Sequence, residues 1–213
     1  EDLSRVAAVR DTAGPDARIR VDANGAWSVP EALDALRALA AYRLEYAEQP
    51  CPTVADLRAV RLGLARAGVD LPIAADESIR KAEDPMLVAR EGAADLVVVK
   101  AAPLGGVCRA LDIVDACGLP AVVSSALDTS VGMAAGVALA TALPELPYAC
   151  GLGTVELLAG DVASDSLVAI GGVVRPRPVA PDEQLLERWR ATSEREAWWR
   201  QRIADCHAVL DAG

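Results

Sequence analysis

Three carboxylates follow short apolar stretches at a regular spacing, and together they have the chemistry of a metal site. Asp22, Glu48 and Asp76 each stand at the end of a predicted strand. Converging carboxylates repel one another, and leaving them unpaired is unfavourable. A hard dication relieves this repulsion because it prefers oxygen ligands and keeps positions open for water or substrate. The set predicts a Mg²⁺ site, with Mn²⁺ as the alternative ion. For each acid taken alone, the alternative is that it caps the following helix or accepts from a loop amide.

A lysine follows the next predicted strand. Lys100 ends the apolar run of residues 95–100, and lysine is rarely buried without a partner. Near a bound dication its ammonium form is disfavoured, so its pKa should fall and it could act as a base. The alternative is a salt bridge to a neighbouring carboxylate. The other lysine, Lys81, is predicted to be solvated in a loop or early helix.

Few other groups support a competing chemistry. Ser124 and Ser125 at the end of a further strand could donate hydrogen bonds to a carboxylate, although a structural turn explains them equally well. The single histidine, His207, lies in the predicted terminal helix, so a Ser–His–Asp or Cys–His nucleophile lacks a base. The Gly105–Gly106 pair and the Gly151-x-Gly153 segment match no phosphate-binding fingerprint.

The elements that position these residues repeat along the chain. Predicted strands end at residues 22, 48, 76, 100, 124 and about 150, and a predicted helix follows each of the first five. This spacing suits a strand, a crossover helix and two loops, so it predicts a parallel α/β fold. A doubly wound sheet and a (β/α) barrel both fit the repeat. Polar residues at so many consecutive strand ends favour the barrel, because only a closed barrel gathers them around one mouth.

The repeat stops after residue 160. Residues 167–174 predict a small hairpin, and three prolines up to Pro181 predict a stiff linker. Residues 182–210 predict one long polar helix whose tryptophans, Trp189, Trp198 and Trp199, pack against the barrel wall. The sequence is therefore divided into a partial barrel with the metal site, residues 1–160, and a C-terminal hairpin, linker and helix, residues 161–213.

Composition narrows the class of partner. The chain has 213 residues and a formal net charge of −10, with no basic run, which argues against nucleic acid or an anionic membrane as a partner. No apolar run reaches the roughly 18 residues of a membrane span. The five cysteines form no C-x-x-C pair, so a zinc site or disulfide framework is not expected. Reduced thiols favour a cytoplasmic location.

The polar strand ends carry a family resemblance. The segments D-A-N-G-A-W from Asp22, E-Q-P from Glu48, A-D-E-S around Asp76 and V-V-K-x-x-P-L-G-G around Lys100 resemble the enolase superfamily, in its muconate-lactonising-like branch. Residues 124–132 and 149–154 are similar to the actinobacterial o-succinylbenzoate synthases. The resemblance covers nearly the whole chain.

The resemblance implies a fold and an activity. The fold would be a TIM-type (β/α) barrel, and Asp22, Glu48 and Asp76 would hold Mg²⁺ against a small-molecule carboxylate. A lysine removes the proton α to that carboxylate, and loss of hydroxide gives o-succinylbenzoate on the menaquinone pathway. Lys100 matches the family's second lysine, which lies opposite the base. That second lysine stabilises the intermediate. The substrate-binding residues would be Asn24, Ser124 and Ser125.

Two features of the family pattern are missing from the sequence. The family's base comes from a K-x-K motif, which this chain lacks, and the N-terminal capping domain has no counterpart. The chain is therefore expected to be the C-terminal portion of such a barrel, without its first strands, and to be inactive alone. Open strand edges predict self-association. The alternatives are an N-succinylamino acid racemase or dipeptide epimerase, with Lys100 as acid or base, and an inactive fragment.

Overall fold

Five parallel strands form one sheet in the computed structural model, which describes residues 2–79 and 84–211. The strands are β1 Arg20–Asp22, β2 Tyr46–Glu48, β3 Ile73–Ala75, β4 Leu96–Val99 and β5 Ala121–Val123. The helices are α1 Asp2–Ala13, α2 Val29–Leu39, α3 Val54–Arg66, α4 Asp84–Glu91, α5 Val107–Cys117, α6 Ser130–Ala142, α7 Glu183–Arg188 and α8 Ser193–Asp211. Lys81, for which a solvated position is predicted, lies outside the described residues.

The order of the strands decides between the two predicted folds. Every strand pairs in parallel with the next one along the chain, in the order β1-β2-β3-β4-β5. A doubly wound sheet changes direction at a switch point and so breaks this order. Uninterrupted sequential order with a helix after each strand is that of a (β/α) barrel. The predicted partial barrel is confirmed.

Alternation along the strands separates two apolar layers. Outward residues such as Ile73, Val97 and Val123 join the main core beneath the helices. Inward residues form a second, smaller cluster, namely Tyr46, Ala74, Leu96, Val98 and Val122. Because side chains alternate with a period of two, the residue two positions beyond an inward residue is also inward. Glu48, Asp76, Lys100 and Ser124 therefore share the inner face with this second cluster.

The sheet curves until its first strand meets the chain beyond its last. A guanidinium nitrogen of Arg20 in β1 donates to the carbonyl oxygen of Ala149 at 2.7 Å. The rings of Tyr46 and Tyr148 meet edge to face, with centroids 5.5 Å apart. These contacts span the inside of the curved sheet, so the inner face is concave.

Local capping fixes where the helices begin. The predicted capping box of Ser28 and Glu31 forms at the start of α2, and the Thr53 hydroxyl accepts from the Asp56 amide at the start of α3. Helix α5 begins at Val107, three residues later than the sequence predicts. Gly105 and Gly106 have φ angles of 88° and 107°, which a right-handed helix cannot contain.

The prediction of a sixth strand at residues 146–151 is wrong. Within residues 146–151, the pairing is limited to one parallel bridge between Ser124 and Gly151. Pro147 removes a backbone donor and restricts φ in the middle of this segment, so a regular ladder cannot extend through it. The described sheet therefore has five strands.

The C-terminal segment also differs from its prediction. The hairpin at residues 167–174 is reduced to a single antiparallel bridge between Ile170 and Val173. The predicted long helix is split, because Thr192 starts a new helix by accepting from the Arg195 amide at 3.3 Å. Trp189 is 41% exposed and packs against Gly160, at the end of the predicted barrel segment. Trp198 and Trp199 do not pack there: they are 46% and 47% exposed, and α8 has no buried residue.

Asp161 ties the segment after the barrel to α6. Its carboxylate accepts from the Ser130 hydroxyl, from the Ser130 amide at 3.0 Å and from the Val162 amide at 2.8 Å. The Ser130 hydroxyl in turn accepts from the Leu167 amide at 2.6 Å. The division of the chain at residue 160 stays a prediction.

The length and apolar content of the helices show whether any of them could span a membrane. In the parts of the chain that the structure describes, no helix is both long enough and apolar enough to cross a bilayer.

Candidate active site

The three predicted carboxylates lie at the same end of three adjacent strands. Asp22 is the last residue of β1 and is paired in register with Glu48, the last residue of β2. Asp76 directly follows β3, and β3 pairs with β2 through Ala74 opposite Glu48. Asp22 is exposed, Glu48 is half-buried and Asp76 is buried. The strand ends therefore bring three acids of graded burial to one edge of the inner face.

These acids influence one another's ionisation. Burial, together with the negative charges of Asp22 and Asp76, raises the pKa of Glu48 to about 8, while Lys100 acts in the opposite direction. Burial also raises the pKa of Asp22; hydrogen bonds from Asn24 oppose this rise, and the charge of Asp76 adds to it. Such mutual repulsion requires that the carboxylates lie near one another.

Lys100 forms an ion pair with Asp76. The ammonium nitrogen contacts Oδ2 of Asp76, and the two side chains are 15% and 8% exposed. This is the salt bridge that stood as the alternative role for Lys100. The pair also places a positive charge among the acids, because Lys100 acts electrostatically on both Glu48 and Asp22.

The donor set suits a hard dication in its chemistry. Three carboxylates supply the anionic oxygens that Mg²⁺ prefers, and because burial and the charges of Asp22 and Asp76 raise the pKa of Glu48, a bound cation would stabilise its anion. Within residues 2–79 and 84–211, however, no three acidic, histidine or cysteine side chains are close enough together to hold an ion as they stand. Ion binding would therefore require the carboxylates to draw closer and Asp76 to share or give up its contact with Lys100.

Asn24 lies in the turn after β1 and holds Asp22. Its backbone N–H donates to Oδ1 of Asp22 at 2.8 Å, and its φ of 48° places it in the left-handed region. Asparagine tolerates that region better than most residues because its short side chain bonds locally. Asn24 thus stands beside the first carboxylate, and its role toward substrate stays a prediction.

Ser124 and Ser125 lie at the end of β5, and their hydroxyls face the following segment of the chain. The Ser125 hydroxyl is 3.0 Å from the Thr154 hydroxyl and donates to the Gly151 carbonyl at 3.2 Å. The Ser124 hydroxyl contacts the same carbonyl at 3.4 Å. Ser124 also donates its amide to the carbonyl of Val99, next to Lys100. These contacts belong to a structural turn that lies beside the lysine.

Two neighbours of the site carry no role in the sequence prediction. Glu77 adds negative charge near Glu48, and Gln49 is fully buried directly behind that residue. The available signal for Gln49 was a polar residue placed between a strand-end acid and the prolines Pro50 and Pro52. Composition and spacing do not show which groups such an amide bonds.

Comparison with known proteins identifies a family and relatives that this chain resembles. Residues 1–190 match the model of the family described as "Enolase C-terminal domain-like". The o-succinylbenzoate synthase of Thermobifida fusca is 53% identical over 210 residues, which are 99% of this chain and 64% of that protein. The o-succinylbenzoate synthase of Mycolicibacterium smegmatis is 51% identical over 99% of this chain and 63% of its own length. The chain thus spans slightly less than two thirds of these curated relatives.

Solved structures agree with the barrel. A muconate lactonizing enzyme from Pseudomonas fluorescens, in complex with muconolactone, has a TM-score of 0.75 at 31% identity and covers 89% of this chain and 53% of its own. A dipeptide epimerase from Enterococcus faecalis has a TM-score of 0.70 at 26% identity and covers 82% and 50%. With a family match over most of its length and the sequential parallel strands described above, the chain belongs to the enolase C-terminal domain-like family.

Proposed function

We propose that this chain is the metal-binding barrel portion of an o-succinylbenzoate synthase, a lyase that removes water from a small-molecule carboxylate. The observation that carries the proposal is the placement of Asp22, Glu48, Asp76 and Lys100 on one inner face at four consecutive strand ends. Identity of about 50% over nearly the whole chain to synthases of that name supports it. The menaquinone pathway and a cytoplasmic location are part of the proposal.

The three carboxylates would hold a divalent cation, Mg²⁺ or in its place Mn²⁺. When bound, that ion supplies a Lewis acid that fixes the substrate carboxylate and lowers the energy of the charge developing on it. Glu48 would contribute to the electrostatic attraction, since burial and the charges of Asp22 and Asp76 make its anion unfavourable without a cation.

Lys100 would keep its proton on Nζ and present a fixed positive charge to the reacting ring. Lys100 is half-buried, with 15% of its side chain exposed. Most water is therefore excluded, which strengthens the electrostatic interaction of the ammonium with its surroundings. Asp76 holds the ammonium in place on one side. A cation near an aromatic or developing aromatic ring is attracted to its face. Lys100 is therefore assigned a stabilising role in the dehydration.

The remaining predicted residues would orient the substrate or the ligands. Asn24 fixes Oδ1 of Asp22 through its backbone N–H. Ser124 and Ser125 would turn their hydroxyl protons from the Gly151 carbonyl toward a substrate carboxylate, at the strand end beside Lys100. This keeps both substrate-facing hydroxyls on the rigid end of β5 rather than on a free loop.

The test measures o-succinylbenzoate formation with Mg²⁺ in the longest natural polypeptide that carries this sequence. Lys100→Arg keeps the charge but changes its shape and position, and the expected rate falls about 100-fold or more. Arg61→Lys is the matched control, because Arg61 also pairs with an aspartate, Asp95, at 2.7 Å, but at the opposite end of the strands. Near-parental turnover in Lys100→Arg would leave that residue with only its salt bridge.

The alternative on the same barrel is racemisation of an N-succinylamino acid or epimerisation of a dipeptide. A solved structural neighbour is a dipeptide epimerase, so both substrates belong in the same experiment. In deuterium oxide, a racemase or epimerase would incorporate deuterium at the α-carbon without loss of water. That result together with no o-succinylbenzoate would replace the proposed synthase by the alternative.

A further inference from the structure

We infer that Gln49 is a positioning residue that joins the loops carrying the three carboxylates and sets their separation. This inference rests on the proposed metal site. Gln49 has no exposed surface, and it follows Glu48 directly in the chain. Its φ of 35° lies in the left-handed region, which a non-glycine residue adopts only when the surroundings impose it.

The side chain of Gln49 bonds to the loop that follows β3. Its carbonyl oxygen accepts from the Asp76 amide at 2.9 Å and from the Ser78 amide at 3.4 Å. Its amide nitrogen donates to the Ser78 hydroxyl and to the Cys51 carbonyl, both at 2.9 Å. Because both ends of the amide are bonded, its orientation is fixed, and the backbone of Asp76 is held at a set distance from Glu48.

The backbone of Gln49 bonds to the other two segments. Its carbonyl accepts from the Gly25 amide at 2.7 Å, in the turn after Asp22, and its own amide donates to the Ala74 carbonyl at 2.8 Å in β3. Gly25 permits this close approach, since a Cβ there would lie 3.2 Å from Cα of Pro52. One residue therefore contacts the loops of all three strand ends.

Glutamine suits this position because it is neutral. A charged side chain here would add to or compensate the acids directly, whereas the amide offers one acceptor and two donors with no net charge. Groups that hold metal-ligating residues in place change metal affinity by about 10- to 100-fold when they are replaced. Gln49 should therefore control the affinity of the site without touching the ion.

The experiment measures Mg²⁺ affinity by calorimetry on the full chain and amide hydrogen exchange at Asp76. Gln49→Met keeps the length of the side chain but loses its hydrogen bonds, and we expect about 10-fold or greater loss of Mg²⁺ affinity, with faster exchange of the Asp76 amide. Gln49→Asn keeps the amide but is one methylene too short to reach both loops, and we expect the same direction of change. The Gln49→Asn variant tests the inference if Gln49→Met fails to fold.

Ser130→Ala is the matched control for loss of stability. Ser130 is also a fully buried polar residue, but its hydrogen bonds go to Asp161 and Leu167. At a similar loss of thermal stability, this control should keep its Mg²⁺ affinity within about twofold. Parental affinity in both Gln49 variants would overturn the inference while the metal site stands. A parent chain that binds neither Mg²⁺ nor Mn²⁺ would overturn the proposed site, and the inference with it.

Discussion

Two partly buried carboxylates of this barrel, Glu48 and Asp161, ionise in opposite ways. Burial, reinforced by the charges of Asp22 and Asp76, raises the pKa of Glu48 to about 8. Burial also acts to raise the pKa of Asp161, but hydrogen bonds from Ser130, Ser166 and Val162 outweigh it, so its pKa is lowered. The two acids differ in what surrounds them: like charges in one case and N–H and O–H donors in the other.

The comparison separates an acid that stabilises the fold from one that we propose to bind metal. Asp161 has donors for its oxygens within the chain, so its negative charge stabilises the attachment of the C-terminal segment to α6. For Glu48, burial and the charges of Asp22 and Asp76 favour the protonated form, and the opposing charge of Lys100, which pairs with Asp76, does not offset them. An acid whose pKa is raised in a concave site is a candidate for binding or catalysis rather than for stabilising the fold.

The largest expected effect on stability comes from removing the well-bonded acid. Asp161→Ala leaves the amides of Ser130 and Val162 without their acceptor, and we expect the free energy of unfolding to fall by about 2 to 3 kcal/mol at pH 7. Urea unfolding of the 213-residue chain measures this loss. An unchanged midpoint would show that Asp161 does not anchor the segment after residue 160.

The pH dependence of that stability has a definite sign. Because the folded pKa of Asp161 lies below its ordinary value of 3.8, its charge contributes stability above that value, and the contribution is lost as the pH falls through the folded pKa. Asp161→Asn retains an acceptor but cannot ionise, so its unfolding free energy should change less between pH 5 and about pH 2 than that of the parent. An identical pH profile would contradict the assignment.

For Glu48 without metal, we expect stability to change with pH in the opposite direction. Its folded pKa is raised from 4.5 to about 8, so the folded chain binds an extra proton and stability falls as the pH rises from about 4.5 to 8. Glu48→Gln removes this fall. We expect the metal-free variant to be more stable than the parent by about 1 to 2 kcal/mol at pH 8, and equal to it near pH 4.

Thermal unfolding in a chelator, at both pH values, measures this difference. Asp95→Asn is a suitable control, because Asp95 accepts from Arg61 and from the Ile73 amide and should lose stability when neutralised. If Glu48→Gln were destabilising at pH 8, the repulsion described for the strand ends would be absent.

Much of the fold could be predicted because the signals were local. Periodic strands that end in polar residues predicted the first five βα units, and the capping residues Ser28 and Thr53 located two helix starts correctly. The sixth strand failed because its apolar residues surround Pro147, whose missing donor outweighs the hydrophobic pattern. The single terminal helix failed because Thr192 begins a second helix, a start that the polar composition of the region obscures.

The candidate site was predictable in its members but not in their contacts. Residue type and strand-end position were enough to select the carboxylates and Lys100. The pairing of Lys100 with Asp76, and the bonding of Gln49 to Asp76 and Gly25, depend on how close the loops come, which no spacing along the chain specifies. The roles of Ser124 and Ser125 toward substrate stay a prediction.

The most direct test of the metal site is a Mg²⁺ titration by calorimetry of the 213-residue chain and four variants. Asp22→Asn, Glu48→Gln and Asp76→Asn each remove one charge from the strand ends, and Asp161→Asn removes one from the α6 anchor. We predict that the parent and Asp161→Asn bind Mg²⁺ alike, while each strand-end variant binds about 100-fold more weakly. Equal binding by all five proteins, or no binding by the parent, would contradict the assignment of Asp22, Glu48 and Asp76 as the metal ligands.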